Sequence, residues 1–469
     1  MEANLAVVVA AINNPCMKNI VILSLLLSPF WTLAQTASDS TTVFKKRVLE
    51  STEVNILTSY YTQDGQNASV TGGIGSEKLD DFASDINVSI PLNVDDVLTI
   101  NATISAYTSA SSSNLNPFTG ASNGPVTGTP WAASSGASRE DVWISSNIGY
   151  SHSSNDRNSI YSATLSFANE YDYTSVSGGM GFVRLFNQKN TELSLNAYVY
   201  LDSWRPQYPT EIETYVHEDG DLNADFFQGV DILDQNGNII NKFGPGAWKP
   251  INTTLVKDKG RNTYVVSLGF SQILSRTTQM AIISDITYQM GWLSNPMQRV
   301  YFADQNNFYI GNATSIPFYN NPENKDVFQL ADDIERLPSS RLKIPVGVRF
   351  NQYLNEFLVF RSYYRYYFDD WGIQSHTFDA ELAIKLGQNF TIFPSYRFYN
   401  QTAADYFAPF EELLSTDEYY TSDYDLSKFD ANQFGFGIKY NDIFSKHHIW
   451  KFGLKNLTLD YNYYKRNTG

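Results

Sequence analysis

From Phe350 to Gln401 the side chains change character at every second position, and no other feature limits the possible folds so tightly. Leu358, Phe360, Ser362, Tyr364, Tyr366 and Phe368 interleave with Val359, Arg361, Tyr363, Arg365 and Tyr367. After Asp369-Asp370-Trp371-Gly372, Phe378, Ala380, Leu382 and Ile384 interleave with Asp379, Glu381, Ala383 and Lys385. A further run follows Gly387-Gln388-Asn389, with Thr391, Phe393, Ser395, Arg397 and Tyr399 on one parity. Successive side chains of a strand point to opposite faces, so a period of two predicts strands and not helices. One face of these strands is apolar; the other carries arginines and carboxylates. Apolar toward lipid and polar toward water is the pattern of a membrane β-barrel.

The same reading predicts fifteen strands between residues 54 and 464. Leu98, Ile100, Ala102, Ile104 and Ala106 against Thr99, Asn101, Thr103 and Ser105 is the clearest alternation. Short links at 92–96, 151–158, 187–190, 274–278, 354–356 and 387–389 alternate with long ones at 108–140, 203–262, 293–341 and 401–432. In a barrel the short links face the periplasm and the long ones the outside. Single-chain bacterial barrels close on an even number of strands, so a sixteenth is expected, either as a final strand missing after Tyr464 or around Ala68–Ile74. The expected fold is therefore all-β: a transmembrane, antiparallel, up-and-down barrel of about sixteen strands.

Lys18, the apolar run from Ile20 to Leu27, and Thr32-Leu33-Ala34 predict a signal peptide over residues 1–34, with Met17 the expected start. Residues 35–50 read as a periplasmic lead-in and 51–469 as the barrel. No other apolar run reaches the about 20 residues a helix needs to cross a bilayer. Cys16 is the only cysteine, which excludes disulfides, cysteine-bound zinc and c-type haem from the mature chain. The net charge of −16 has the wrong sign for nucleic-acid binding. A mean hydropathy of −0.30 does not argue against a membrane, because a barrel carries its lipid face on alternate residues only. No cofactor and no metal are expected. The expected partners are outer-membrane lipid and periplasmic or surface proteins.

Longer motifs point to a family. YRYYFDDWGIQSHTFDAEL from Tyr364 and PSYRFYNQTAADYF from Pro394 resemble the Bacteroidota outer-membrane family called domain of unknown function 3570. So do VTGGIGSEKLDDF from Val70, ISAYTSASSSN from Ile104, YSHSSNDRN from Tyr150 and ERLPSSR from Glu335. The resemblance implies a barrel in the outer membrane of a Gram-negative bacterium, in a family without an assigned biochemical role. Its members are encoded near periplasmic thioredoxin-like and flavin-transferase proteins, which implies a non-conducting scaffold of an envelope redox pathway as an alternative role.

Four groups of residues are candidates for chemistry. Lys343, Arg349, Arg361, Arg365, Asp379, Glu381, Lys385 and Arg397 share the polar face of four strands, where opposite charges on neighbouring strands can pair. They predict either a constriction that selects charged solutes or a salt-bridged wall that fills a wet interior. Asp369, Asp370, Trp371 and His376 surround a tight turn, for which turn and girdle chemistry is the simpler reading than a cation site. His152 and Ser154 resemble, as His-x-Ser-Asn, the active site of outer-membrane lipid hydrolases, though they fall in a short link that reads as a hydrated turn. The acidic stretch 211–234, with Asp219, Asp221, Asn223 and Asp225 at alternate positions, reads as a solvated loop. It lacks the glycine and glutamate of a calcium loop. Ser135-Gly136-Ala137-Ser138 faintly resembles a flavin attachment site, without the usual upstream acid.

Overall fold

The computed structural model describes residues 45–108, 118, 140–256, 260–324 and 326–468. The expected signal peptide, Cys16 and Ser135–Ser138 lie outside these residues. Arg47–Gly469 forms one compact unit. No helix among the described residues is long and apolar enough to cross a membrane.

One antiparallel sheet dominates, and each of its strands corresponds to one of the fifteen expected. They are β1 (Glu53–Gln63), β2 (Leu79–Pro91), β3 (Asp96–Thr108), β4 (Glu140–Ser153) and β5 (Ser159–Asn169). Then follow β6 (Tyr173–Phe186), β7 (Thr191–Trp204), β8 (Gly260–Ser275), β9 (Thr278–Gly291) and β10 (Ser340–Asn355). The last are β11 (Leu358–Asp369), β12 (Gln374–Leu386), β13 (Phe390–Gln401), β14 (Phe429–Asn441) and β15 (Asn456–Thr468). Every strand pairs with its sequence neighbours, in chain order from end to end.

Register explains why alternation along each strand becomes two uniform faces. One row of paired residues runs Val54, Val88, Ile100, Ile148, Leu165, Gly178, Val199, Tyr264, Tyr288 and Leu342 across ten strands. The adjacent row runs Asn55, Asn87, Asn101, Asn147, Ser166, Ser177, Tyr200, Thr263, Gln289 and Arg341. A slip of one residue in any strand would put a polar side chain into the apolar row, so pattern and pairing specify each other. Ile104, Ile148, Leu165, Met180, Leu195 and Leu268 stand exposed on the apolar face, with no second layer against them among the described residues.

The sheet departs from the expected closed barrel. It has fifteen strands, and no backbone pairs join β1 to β15 among the described residues. With an odd count, the first and last strands of an up-and-down sheet run in the same direction, so neither is the antiparallel partner the other needs. The two edges nevertheless approach at both ends: Lys455 Nζ donates to Glu53 Oε1, and Asn67 Nδ2 to Thr468 Oγ1 at 3.3 Å. One link on the short side is also long. Between β14 and β15 it folds a small hairpin of His448–Ile449 with Phe452–Gly453.

The described residues of the long links 203–262, 293–341 and 401–432 pack into a cap with its own core. Helix α1 (Thr210–His217) and short ladders joining Ile232–Asp234, Phe308–Gly311 and Val327–Gln329 surround Leu222, Phe227, Trp248, Tyr301, Ile310 and Leu330, all fully buried. The acidic stretch 211–234 is thus no solvated loop. Asp219, Asp221, Asn223 and Asp225 are exposed, but Ile212, Leu222, Phe226, Phe227 and Ile232 between them form the core. Glu211 is 0% exposed because Arg299, 1% exposed, grips it with Nε at 2.7 Å and Nη2 at 3.0 Å. Arg299 also donates to Val70 O at 3.1 Å, so three links meet at one guanidinium.

Candidate functional site

The polar face of β10 to β13 holds the charged residues, all at odd positions of strands kept in register. Arg361 stands directly across from Glu381, and Asp379 across from Arg397. Both couples close as ion pairs: Arg361 Nη1 donates to Glu381 Oε1 at 2.6 Å, and Arg397 Nε lies 3.1 Å from Asp379 Oδ1. With Arg349, Asn351, Tyr363, Ser395 and Gln433 they line a cavity of ≈ 520 Å³. That is the size of a small-molecule site.

Arg349 differs from the other two arginines of the cavity. It is exposed and has no acidic partner among the described residues. Its guanidinium carbon stands 5.8 Å from the centroid of the Tyr363 ring, within cation–π range. Tyr363 in turn occupies space that only glycine leaves free. A β-carbon at Gly347 would lie 2.5 Å from the Tyr363 hydroxyl oxygen. The lining therefore carries three arginines against two carboxylates, with the excess positive charge on the residue that has no counter-ion.

The expected row of eight charges separates along the strands. Lys343 lies opposite Asp369 at the long-link end, and Lys385 opposite Thr391 at the short-link end; neither lines the cavity. Arg365 lies between, reaching Thr377 Oγ1 only at 3.5 Å, with its buried Nε unpartnered.

The turn after β11 is structural. Asp369 Oδ1 accepts the backbone N–H groups of Trp371 and Ile373, while its Oδ2 accepts from Tyr367 Oη at 2.6 Å and from Arg341 Nε at 2.9 Å. With Arg341 Nη2 also on Oδ2, five donors satisfy the carboxylate and leave it no lone pair to spare for a cation. Arg341 stacks 4.2 Å from the centroid of buried Trp371. His376 does not join them; it sits exposed on the apolar face, its Nδ1 2.7 Å from Tyr364 Oη. Among the described residues no three His, Cys, Asp or Glu side chains gather as a metal site.

His152 and Ser154 each have another partner. His152 Nδ1 lies 2.6 Å from Asp96 Oδ1, a carboxylate that also accepts from Tyr150 Oη at 2.9 Å. Ser154 Oγ donates to Asp156 Oδ1 at 2.5 Å and accepts the Ser159 N–H at 2.9 Å, closing the turn. A serine nucleophile must donate to its histidine, and this one donates to an aspartate.

Parity found the charged wall but not the Asp96–His152 couple or the Arg299–Glu211 pair. The first joins strands 56 residues apart in sequence and the second joins links 88 apart. Neither leaves a local pattern.

Comparison with known proteins gives one sequence match and a set of distant shapes. A model of the family described as Protein of unknown function (DUF3570) matches residues 8–468. No curated protein matches. Among solved structures, the ferric-catecholate import receptor Fiu from E. coli K12 is similar at 9% identity and a TM-score of 0.34, over 84% of this chain and 59% of that one. The ferric enterobactin receptor PfeA from Pseudomonas aeruginosa is similar at 12% identity and 0.38, over 85% and 52%. An outer membrane channel from Pseudomonas putida F1 is similar at 10% and 0.28, over 78% and 100%. The chain spans little more than half the length of the two receptors.

Proposed function

The chain belongs to the family described as protein of unknown function DUF3570, and on that premise we propose that it is an outer-membrane β-barrel that passes small polar or charged solutes. The observation that carries this reading is the pair of adjacent rows, one apolar and one polar, continuous across ten strands. A soluble protein does not leave an apolar face of that extent uncovered, whereas hydrocarbon requires one. Water belongs on the other face, where Arg349, Arg361, Arg365, Arg397, Asp379 and Glu381 set the charge a passing solute meets. The short links then face the periplasm and the long links, with the cap, face outside.

Single-channel recording of the full-length protein in planar bilayers tests this. Discrete conductance steps are expected, and Arg361→Glu with Arg365→Glu should shift ion preference toward cations. A folded protein that shows no steps overturns the pore. The second reading, a non-conducting scaffold, has one observation in its favour: the described residues of the links 203–262, 293–341 and 401–432 form a packed core instead of open loops. It predicts that conductance stays absent. A surface lipid hydrolase through His152 and Ser154 predicts lipolysis lost in Ser154→Ala, against the hydrogen bonds both residues make.

A further inference from the structure

The cavity on the charged wall has a composition that selects among solutes. Two of its arginines are already neutralised by the carboxylates directly across from them, and both couples are held by register instead of by flexible reach. The third, Arg349, is exposed on the cavity lining, and its planar fork of donors has no carboxylate partner among the described residues. The lining as a whole therefore lacks one negative charge. An arginine fork matches a carboxylate with two parallel hydrogen bonds. Asn351, Ser395 and Gln433 add neutral polar groups around it, and Tyr363, seated on bare backbone at Gly347, fixes one flank.

From this geometry we infer that the cavity is a binding site for a small polar monocarboxylate, with Arg349 as the residue that takes the carboxylate. The inference rests on the solute-passing reading for its physiological sense, but binding itself can be measured without conductance. Asp379 and Glu381 disfavour multiply charged anions, because a second negative charge finds no unneutralised cation in the lining. A cation meets Arg349 and is repelled. A neutral polyol keeps the hydrogen bonds of Asn351, Ser395 and Gln433 but leaves the arginine unpaired.

Calorimetry on the full-length protein in detergent micelles, with gluconate, sorbitol and inorganic phosphate as probes, decides it. Gluconate should bind tighter than sorbitol by about tenfold or more, the worth of one charge-assisted bidentate contact. Arg349→Gln should remove that advantage, while Lys385→Gln, outside the cavity, should keep it. Arg349→Lys, which retains charge but loses the fork, should recover only part of it. Equal binding of gluconate and sorbitol, tighter binding of phosphate, or full gluconate affinity in Arg349→Gln would each overturn the assignment. Gluconate binding without conductance would leave the site standing and remove the pore; conductance without gluconate binding would do the reverse.

Discussion

In the cap, Leu222, Phe227, Trp248 and Ile310 are buried to the last few per cent, while in the wall Ile104, Ile148, Leu165 and Met180 stand open to the surroundings. The residue types are the same; on the reading proposed above, the solvent differs. The cap folds as water dictates, with apolar side chains gathered from links far apart in sequence. The wall turns its apolar side chains outward and satisfies its backbone between strands, which is the arrangement hydrocarbon allows. Charges follow the same division. In the cap the pair Arg299 and Glu211 is buried and locked; in the wall the pair Arg361 and Glu381 is part-exposed and joins adjacent strands. One chain thus folds by two opposite rules, and the boundary lies where strands give way to long links.

Four changes test that division, in falling order of effect. Glu211→Gln leaves the Arg299 guanidinium buried without its counter-ion, a cost of about 3–5 kcal/mol. The cap should become sensitive to protease while the strand signal in circular dichroism persists; joint loss of both would show that cap and wall are one cooperative unit. Next comes Leu165→Arg, on a side chain 71% exposed in the middle of the ten-strand apolar row. If that row faces hydrocarbon, unfolding in bilayers should show a loss of about 2–4 kcal/mol. In water an exposed leucine replaced by arginine costs little, so an unchanged stability would move the wall out of the membrane.

The third effect depends on pH and belongs to the cap. Burial pushes the Asp332 carboxyl up to about 7 and that of Glu335 up to about 8, each helped by nearby acids. The folded cap therefore holds these protons more tightly than the unfolded chain does. Their contribution is fully present near pH 4 and is lost as pH rises through 7 to 8, a decline of about 1–3 kcal/mol per group after allowing for water entry. Protection factors of the cap amides, with the base-catalysed intrinsic rate divided out, should fall between pH 5 and pH 8, and Asp332→Asn should flatten part of that slope. A cap better protected at pH 8 than at pH 5 contradicts the assignment.

The same division governs what could be read from the residues alone. The fifteen strands of the sheet among the described residues were legible because strand geometry writes a period of two into the chain, as at Leu98–Ala106, and pairing only has to align it. The cap was not, because its core depends on contacts such as Glu211 with Arg299, and Val70 with Arg299, whose partners are 88 and 229 residues apart. The acidic residues between 211 and 234 suggested a solvated loop, although Phe226-Phe227 and Ile232-Leu233 beside them were the signal of a core. The charged wall was legible in parity but not in distance along the strand. Register put Arg361 and Glu381 in line, whereas the separation of Lys343 and Lys385 from the cavity follows from where each strand begins.

The smallest effect is the most direct comparison with the buried pair of the cap. Arg361 and Glu381 meet at 2.6 Å, closer than Arg299 and Glu211, yet their side chains are 50% and 34% exposed. Water and salt screen such a pair, so a double-mutant cycle of Arg361→Gln and Glu381→Gln should give a coupling of about 0.2–1 kcal/mol, falling as ionic strength rises. A value near that of the cap pair would mean that the wall is as dry as the cap. A water-filled passage along it could then not exist, and the conductance expected of the protein would have to be absent too.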